Sequence, residues 1–366
     1  MPRSTKHLLI GSLDSYSGKS TAVLGLAHSL QKHGLDIAYG KPVGTFINET
    51  PTGVGLCGLD ADVGFLANTL NLGGDRLRPT LVMLNQDSLS QVMTEGSPRN
   101  YTPELQESMA SHAVPLVLLE GPGTLEEGYL YGLSLHQMAE AIDAAIILVI
   151  RFHDLTSVDR LLVAKERLGD RLVGVILNDV PKPMMPQMTS LVQPFLESHG
   201  VPVVGLLPHS EILKSVSVGE LVHRLNAKVL CAKERMDLMV ETLFIGAMNV
   251  NSALEYFRQG HNMAIVTGGD RADLQLAALE TSTQCLILTG HVNPSAQILA
   301  RAEEMEIPIL TVDLDTLSTV EIIEHAFAQV RLHDGSKREY VFRLSEDAFY
   351  IDRLLNLLQI PLPTLV

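Results

Sequence analysis

The residue types and spacing that point most directly to chemistry lie between Gly11 and Thr21, where the chain reads GSLDSYSGKST. The short apolar run His7 to Ile10 comes directly before this stretch, and the apolar-periodic stretch Ala22 to Leu30 comes directly after it. A strand, a glycine-containing loop, Lys-Ser-Thr and a helix in this order form a phosphate cradle, because backbone N–H groups and the helix N-terminus converge on one anion. The sequence therefore predicts a nucleotide site.

The loop departs from the plain Walker A pattern, because six residues separate its two glycines where that pattern has four. Gly18 permits close backbone approach, Lys19 can lie along the β- and γ-phosphates, and the Ser20 hydroxyl can ligate Mg²⁺. The alternative is an ordinary strand-to-helix turn with a surface lysine. The loop residues expected to bind ATP or another nucleotide are Gly11, Asp14, Ser17, Gly18, Lys19, Ser20 and Thr21.

Carboxylates for a magnesium site follow at two places in the chain. Glu120 ends the apolar run Leu116 to Leu119 in the manner of a Walker B element, and it could hold Mg²⁺ directly or through water. Asp60 and Asp62 could complete a Mg²⁺ site, although capping of the following helix is the ordinary role of an aspartate there. The predicted metal ligands are Ser20, Asp60 and Glu120.

Two further polar side chains follow apolar runs. Lys41 comes after Ala38-Tyr39-Gly40 and before Pro42, where its ammonium could reach a transferring phosphoryl group or an anionic substrate. We therefore predict catalytic roles for Lys19 and Lys41. Asn178 could read a base edge as part of the nucleotide site, although an asparagine that ends a strand is also an ordinary turn residue.

The elements that must position these residues are predicted from apolar runs at 7–10, 36–39, 115–119, 144–150, 172–177 and 202–206, separated by helix-length segments. Runs without alternation indicate strands buried on both faces, hence a parallel sheet with helices on either side. The fold class is therefore α/β, with a doubly wound, mostly parallel P-loop sheet. In such sheets the ligand lies at the carboxyl ends of the strands, where the residues named above are expected to converge.

The pattern changes around residues 208–217, and a second, smaller α/β domain follows, with strand-like segments at 263–267, 285–289 and 309–312. Its glycine-rich turn at 267–273 could hold an anion through backbone N–H groups and Arg271, or could be a tight turn with Asp270 as helix N-cap. We predict domains at 1–212 and 213–330, then a C-terminal extension at 331–366 whose amphipathic helix packs on its own chain.

Composition narrows the classes of partner. The 366 residues carry a formal net charge of −15, which opposes binding to nucleic acid or to an anionic membrane. The longest apolar run, 144–150, is too short to span a bilayer, and the N-terminus has no signal-peptide pattern. We expect a cytoplasmic protein. The three cysteines and thirteen histidines show no metal-ligand spacing.

In these residues the whole chain resembles the two N-terminal regulatory domains of long bacterial phosphotransacetylases, without the acetyltransferase domain. The first domain resembles dethiobiotin synthetase, whose loop has the form G-T-D-T-x-x-G-K-T. The loop matches, with one extra residue inserted, at Gly11, Asp14, Gly18, Lys19 and Ser20; its K-P-V is matched by Lys41-Pro42-Val43 and its V-E-G by Leu119-Glu120-Gly121. The second resembles the DRTGG module, through the strings at 218–221, 246–249 and 267–273.

The resemblance implies a P-loop fold followed by a small α/β module associated with regulation in other proteins. The first interpretation is a nucleotide-binding regulator with ATP and Mg²⁺ on the first domain, a second effector or an oligomer contact on the DRTGG-like domain, and a homo-oligomer or protein partner. The alternative is an ATP-dependent ligase of the dethiobiotin synthetase type, or a weak ATPase, although Pro122 and Thr124 interrupt the run that shapes the substrate site in that family. A phosphate acetyltransferase is less expected, because no third domain is present to bind coenzyme A.

Overall fold

A computed structural model of the chain describes residues 6–44, 60–96, 98–110, 114–290, 292–328 and 335–361. The chain divides into two compact units. The first comprises Met1–His209 together with Leu332–Val366, and the second comprises Ser210–Arg331. Within the described ranges, no helix is long and apolar enough to cross a membrane.

The first unit is built on a parallel sheet whose strand order is β4-β2-β6-β1-β7-β8-β9. A separate two-stranded sheet pairs β3 with β5. The strands are β1 (His7–Ser12), β2 (Ile37–Gly40), β3 (Val43–Gly44), β4 (Leu77–Arg78), β5 (Val82–Met83), β6 (Leu116–Glu120), β7 (Ala145–Arg151), β8 (Leu172–Val180) and β9 (Val203–Pro208). The helices are α1 (Lys19–Lys32), α2 (Ala61–Thr69), α3 (Gln86–Glu95), α4 (Thr102–Ala110), α5 (Leu135–Ala141), α6 (Ser157–Leu168), α7 (Met185–Gln187) and α8 (Gln193–Ser198).

The central strands form because their side chains are apolar on both faces. Residues 145–150 of β7 and the whole of β6 are buried, as a strand covered by helices on both sides requires. The chain leaves β1 through α1 to reach β2 on one side, whereas β7 lies on the other side of β1. The strand order therefore reverses at β1, and the loop that follows β1 lies at the point where such sheets bind ligands.

The second unit has a five-stranded sheet with the order β11-β16-β15-β14-β13, in which β11 alone is antiparallel to its neighbour. A small antiparallel sheet pairs β10 with β12. Its strands are β10 (Val216–Ser217), β11 (Lys228–Cys231), β12 (Met239–Val240), β13 (Thr242–Gly246), β14 (Met263–Gly268), β15 (Thr283–Thr289) and β16 (Ile309–Thr311). Its helices are α9 (Glu211–Lys214), α10 (Val218–Leu225), α11 (Val250–Phe257), α12 (Ala272–Leu279), α13 (Ala296–Glu304) and α14 (Thr316–Ala328).

Two apolar clusters cover the two faces of this second sheet. One cluster contains side chains of α10 and α14, and the other contains side chains of α11, α12 and α13. The second unit is thus a smaller α/β domain with helices on both faces. The predicted fold class, a doubly wound and mostly parallel α/β sheet followed by a smaller α/β domain, is confirmed.

The C-terminal segment returns to the first unit as α15 (Gly335–Ala348) and α16 (Ile351–Leu358). Phe342 of α15 stacks on His28 of α1 with ring centroids 3.8 Å apart. The ring of Phe349 fills the space beside two glycines: a Cβ at Gly25 would lie 2.8 Å from it and one at Gly205 would lie 2.9 Å from it. The helix that follows the phosphate loop is therefore packed against the end of the chain.

Replacing Phe349 by alanine is expected to lower the free energy of unfolding by about 3–5 kcal/mol, because this buried ring leaves a cavity between α1 and β9. The matched control is Phe195→Ala on α8, where the ring is 43% exposed, and a much smaller loss is expected there. Urea unfolding of the two variants measures the difference. Equal losses in both variants would contradict the packing described for Phe349.

Candidate functional site

The phosphate loop connects Ser12 at the end of β1 to Lys19 at the start of α1. Gly18 is the N-cap of α1 and has a φ of 84°, in the left-handed region that favours glycine. A Cβ at this position would lie 2.1 Å from the side-chain nitrogen of Asn178. Both observations require glycine here. The backbone N–H groups of the first turn of a helix have no partner within the helix, so those that follow Gly18 can bind an anion.

Lys19 reaches back across the loop to the segment after β6. Its Nζ donates to the carbonyl oxygen of Pro122 at 2.8 Å and to Oγ of Ser12 at 3.3 Å. Burial lowers the pKa of Lys19 below its ordinary value, although the Glu120 carboxylate acts in the opposite direction. The ammonium therefore lies where a phosphate could replace a neutral carbonyl as its partner.

Glu120 ends β6 with both carboxylate oxygens held by hydroxyl groups. Ser20 Oγ donates to Oε1 at 2.8 Å, and Tyr39 OH donates to Oε2 at 2.9 Å. Burial raises the pKa of the Glu120 carboxyl above its ordinary value, while the ammonium groups of Lys41 and Lys19 oppose that rise. Burial and the neighbouring Glu120 hold the pKa of Tyr39 well above its ordinary value, so the phenol stays protonated and donates.

Lys41 is clamped between two carboxylates. Its Nζ lies 2.9 Å from Oδ1 of Asp60 and 2.6 Å from Oδ2 of Asp62. Burial by itself lowers the pKa of Lys41, but the carboxylates of Glu120, Asp62 and Asp60 outweigh it and hold this pKa above its ordinary value. The ammonium is therefore charged, and it links the start of α2 to the end of β2.

Asp60 takes the capping role that the sequence allowed for it. It is the N-cap of α2, and its Oδ1 accepts the backbone N–H of Asp62 at 2.9 Å as well as the Lys41 ammonium. The Asp60 carboxylate contacts the Lys41 ammonium, and the Glu120 carboxylate is close enough to that ammonium to raise its pKa. Capping and a metal-binding role are compatible at this position, because a carboxylate has further lone pairs.

The structure places the remaining predicted site residues in and around the loop. Asn178 of β8 donates its side-chain N–H to the carbonyl oxygen of Ser17 at 2.8 Å, so in this structure it holds the loop against the sheet. Asp14 is exposed and accepts from Arg160 of α6 at 2.6 Å. Thr21 lies in the first turn of α1, and Gly11 leaves room for Leu135, which would lie 2.4 Å from a Cβ there.

Three contributors to this cluster were not singled out as site residues from the sequence. They are the phenol of Tyr39, the hydroxyl of Ser12 and the carbonyl of Pro122. The carboxylate of Asp62, which the sequence paired with Asp60, contacts the Lys41 ammonium. Tyr39 carried no signal in the sequence, because its partner lies on another strand, 81 positions away along the chain.

The residues present fit a magnesium nucleotide. Ser17 Oγ is buried without a hydrogen-bond partner, which a loop built to contact a ligand explains. The described residues contain no group of three or more His, Cys, Asp or Glu side chains that could hold a metal by themselves. Mg²⁺ commonly takes one or two protein ligands together with phosphates and water, and Ser20 with Glu120 supplies that number.

The glycine-rich turn of the second unit is held together internally. Arg271 donates to the Asp273 carboxylate and to the carbonyl oxygen of Met248, so its charge is matched within the turn. The buried Gln275 donates its side-chain N–H to the carbonyl oxygens of Gly268 and Gly269, both at 3.0 Å. The N-cap of α12 is Arg271, one residue later than the alternative with Asp270 expected.

Residues 6–217 match the family model described as an AAA domain, and residues 220–326 match the model described as a DRTGG domain. Phosphate acetyltransferase from Synechocystis sp. is 24% identical over 379 residues, with 97% of this chain and 52% of that protein covered. Phosphate acetyltransferase from Nitratidesulfovibrio vulgaris is 22% identical over 363 residues, with 93% of this chain and 50% of that protein covered. The chain spans about half the length of the curated relatives it matches.

Solved structures give more distant likenesses. The CBS and DRTGG domains of the regulatory region of Clostridium perfringens pyrophosphatase, complexed with the activator diadenosine tetraphosphate, are 21% identical with a TM-score of 0.28, covering 40% of this chain and 71% of that one. The septum site-determining protein MinD from Pyrococcus horikoshii, complexed with Mg-ADP, is 14% identical with a TM-score of 0.35, and the match covers 57% of this chain and 83% of that one. The family matches confirm the predicted P-loop and DRTGG domains and the relationship to phosphotransacetylases.

Replacing Lys41 by methionine is expected to lower the free energy of unfolding by about 3 kcal/mol, because it removes the ammonium from two carboxylates at a buried site. The matched control is Lys32→Met, which removes an exposed ion pair with Glu346 and should cost less than about 1 kcal/mol. Urea unfolding of both variants gives the two values. Losses of the same size would contradict the buried clamp.

Proposed function

The chain belongs to the AAA domain family, and from that membership we propose that it is a nucleotide-binding regulatory protein that takes ATP with Mg²⁺ at its phosphate loop. The observation that carries the proposal is the cluster of Lys19, Ser20 and Glu120 at the N-terminus of α1. An ammonium, a hydroxyl and a buried carboxylate meet there, beside backbone N–H groups that favour an anion.

Each of these groups has a distinct task in binding. Lys19 would exchange the Pro122 carbonyl for the β- and γ-phosphates, which are stronger partners because they are charged. Ser20 and Glu120 would hold the metal, with Asp60 as a third candidate. Bound Mg²⁺ would neutralise phosphate charge. Gly11, Asp14, Ser17, Gly18 and Thr21 would complete the loop around the phosphates, and Asn178 would hold the loop in shape.

The balance of charge around Glu120 supports a divalent cation. Three carboxylates, those of Asp60, Asp62 and Glu120, face the two ammonium groups of Lys19 and Lys41. Moving Lys19 onto a phosphate would leave the carboxylates with less positive charge nearby. A metal ion between Glu120 and the phosphates would compensate for that loss.

The route of the chain supports a regulatory role. The second unit is inserted between β9 and the C-terminal segment, and α15 packs against α1, the helix that begins at Lys19. A ligand that prefers one arrangement of a protein shifts the population toward it by its differential affinity. In this proposal an effector, a second copy or a protein partner acts through the DRTGG domain, in a cytoplasmic protein.

A second candidate is an ATP-dependent ligase, with Lys19 and Lys41 as catalytic residues. The observation that favours it is the position of Lys41, whose buried ammonium lies just after β2 and is stabilised in part by the nearby Glu120 carboxylate. An ammonium held beside a metal site could neutralise a transferring phosphoryl group. The close contacts of Lys41 with Asp60 and Asp62 count against it, because an anionic substrate would have to displace them.

Replacing Lys19 by alanine is expected to weaken ATP binding in the presence of Mg²⁺ by about 10- to 100-fold, because a charge-assisted contact to phosphate is lost. Calorimetric titration gives the affinity, and assay of the same samples for ADP separates the two candidates. Binding without ADP formation supports the regulator, whereas ADP release supports the ligase or a weak ATPase. The matched control is Lys165→Ala on α6, and an equal loss there would contradict the proposal.

Replacing Glu120 by glutamine is expected to remove most of the gain in ATP affinity that Mg²⁺ provides, because a neutral amide is a poorer ligand for this cation. Affinity in the presence of EDTA should change little. Glu126→Gln, at an exposed ion pair with Arg167, is the matched control. Retention of the full Mg²⁺ effect by the Glu120 variant would contradict its assignment as a metal ligand.

A further inference from the structure

The phenol hydroxyl of Tyr39 belongs to the described site although no pattern in the sequence indicates it. It lies in β2, opposite Leu118 of β6, and its side chain is completely buried. A phenol hydroxyl in such a place costs free energy unless it has a hydrogen-bond partner. The partner here is Oε2 of Glu120, at 2.9 Å.

On the premise of the proposed Mg²⁺ site, we propose that Tyr39 is a positioning residue that fixes the Glu120 carboxylate for the metal. The two oxygens of Glu120 are held by donors from different elements, Oε1 by Ser20 of α1 and Oε2 by Tyr39 of β2. The carboxylate plane is thereby set before any ligand arrives.

The two donors differ in what happens when the metal site forms. Ser20 is itself a proposed ligand, so its hydroxyl oxygen would turn to the cation and release Oε1 of Glu120. Tyr39 lies in β2 and is not a proposed ligand, so it would keep its contact with Oε2. Glu120 would then present Oε1 to the site while Oε2 stays fixed, which spares the cost of ordering a free carboxylate.

A second tyrosine provides the comparison that separates this role from simple filling of the core. Tyr131, in the same unit, is also buried, and its hydroxyl donates to the backbone carbonyl of Ser88 at 3.0 Å. Removal of either hydroxyl by a change to phenylalanine deletes one hydrogen bond and leaves the ring in place. Only the Tyr39 change alters a group proposed to hold a cation.

The experiment compares wild type, Tyr39→Phe and Tyr131→Phe by calorimetric titration of ATP, once with EDTA and once with Mg²⁺. We expect Tyr39→Phe to lose about 10-fold of the gain that Mg²⁺ provides, in line with other residues that orient a metal ligand, and to keep its affinity in EDTA. Tyr131→Phe should retain both affinities. Thermal unfolding of the two variants reports whether the losses of stability are comparable.

A double variant makes the test independent of stability. If Tyr39 acts through Glu120, Tyr39→Phe combined with Glu120→Gln should lose no more of the Mg²⁺ gain than Glu120→Gln alone. Additive losses in the double variant would overturn the inference. So would a Tyr39→Phe variant whose ATP affinity falls equally in EDTA and in Mg²⁺, or one that keeps the full Mg²⁺ gain. None of these outcomes contradicts the proposed function. Wild type that binds no ATP in Mg²⁺ would overturn the proposed function and this inference together.

Discussion

The site depends on one unfavourable placement, a carboxylate buried at the carboxyl end of a central strand. Glu120 is almost inaccessible to water, and burial of a charge is costly unless other groups compensate. Lys19, Lys41, Ser20 and Tyr39 supply that compensation from α1, β2 and the segment after it. The phosphate loop, the clamp on α2 and the end of β2 are therefore organised around one charge.

Much of the first unit could be predicted because its signals are local. Six of the seven strands of the main sheet follow from unbroken apolar runs, and the phosphate loop follows from the spacing of Gly18, Lys19 and Ser20 after the first of them. The expectation that polar strand ends converge follows from parallel strands alone. In the second unit, β11 and β13 gave a weaker signal, because both are edge strands whose side chains are partly exposed.

What could not be predicted depends on contacts between distant segments. The bond from Tyr39 to Glu120 requires β2 to lie next to β6, which is a property of strand order and not of either run. Asn178 stays a predicted nucleotide-site residue, but its hydrogen bond to the carbonyl oxygen of Ser17 could not be predicted, because it joins β8 to the phosphate loop across 161 positions of the chain. The amphipathic pattern predicted the C-terminal helix but not where it packs. Phe349 packs beside the glycines at positions 25 and 205, and nothing in the sequence around these glycines indicates that contact.

A crystal structure of the wild-type protein grown with Mg²⁺ and a non-hydrolysable ATP analogue tests the central claim most directly. The account predicts phosphates against the first turn of α1, the cation on Ser20 and Glu120, and the Lys19 ammonium moved from the Pro122 carbonyl onto a phosphate oxygen. A nucleotide bound away from this loop would contradict the account. So would crystals grown at a saturating concentration of the analogue in which the loop holds no nucleotide and Lys19 still donates to the Pro122 carbonyl.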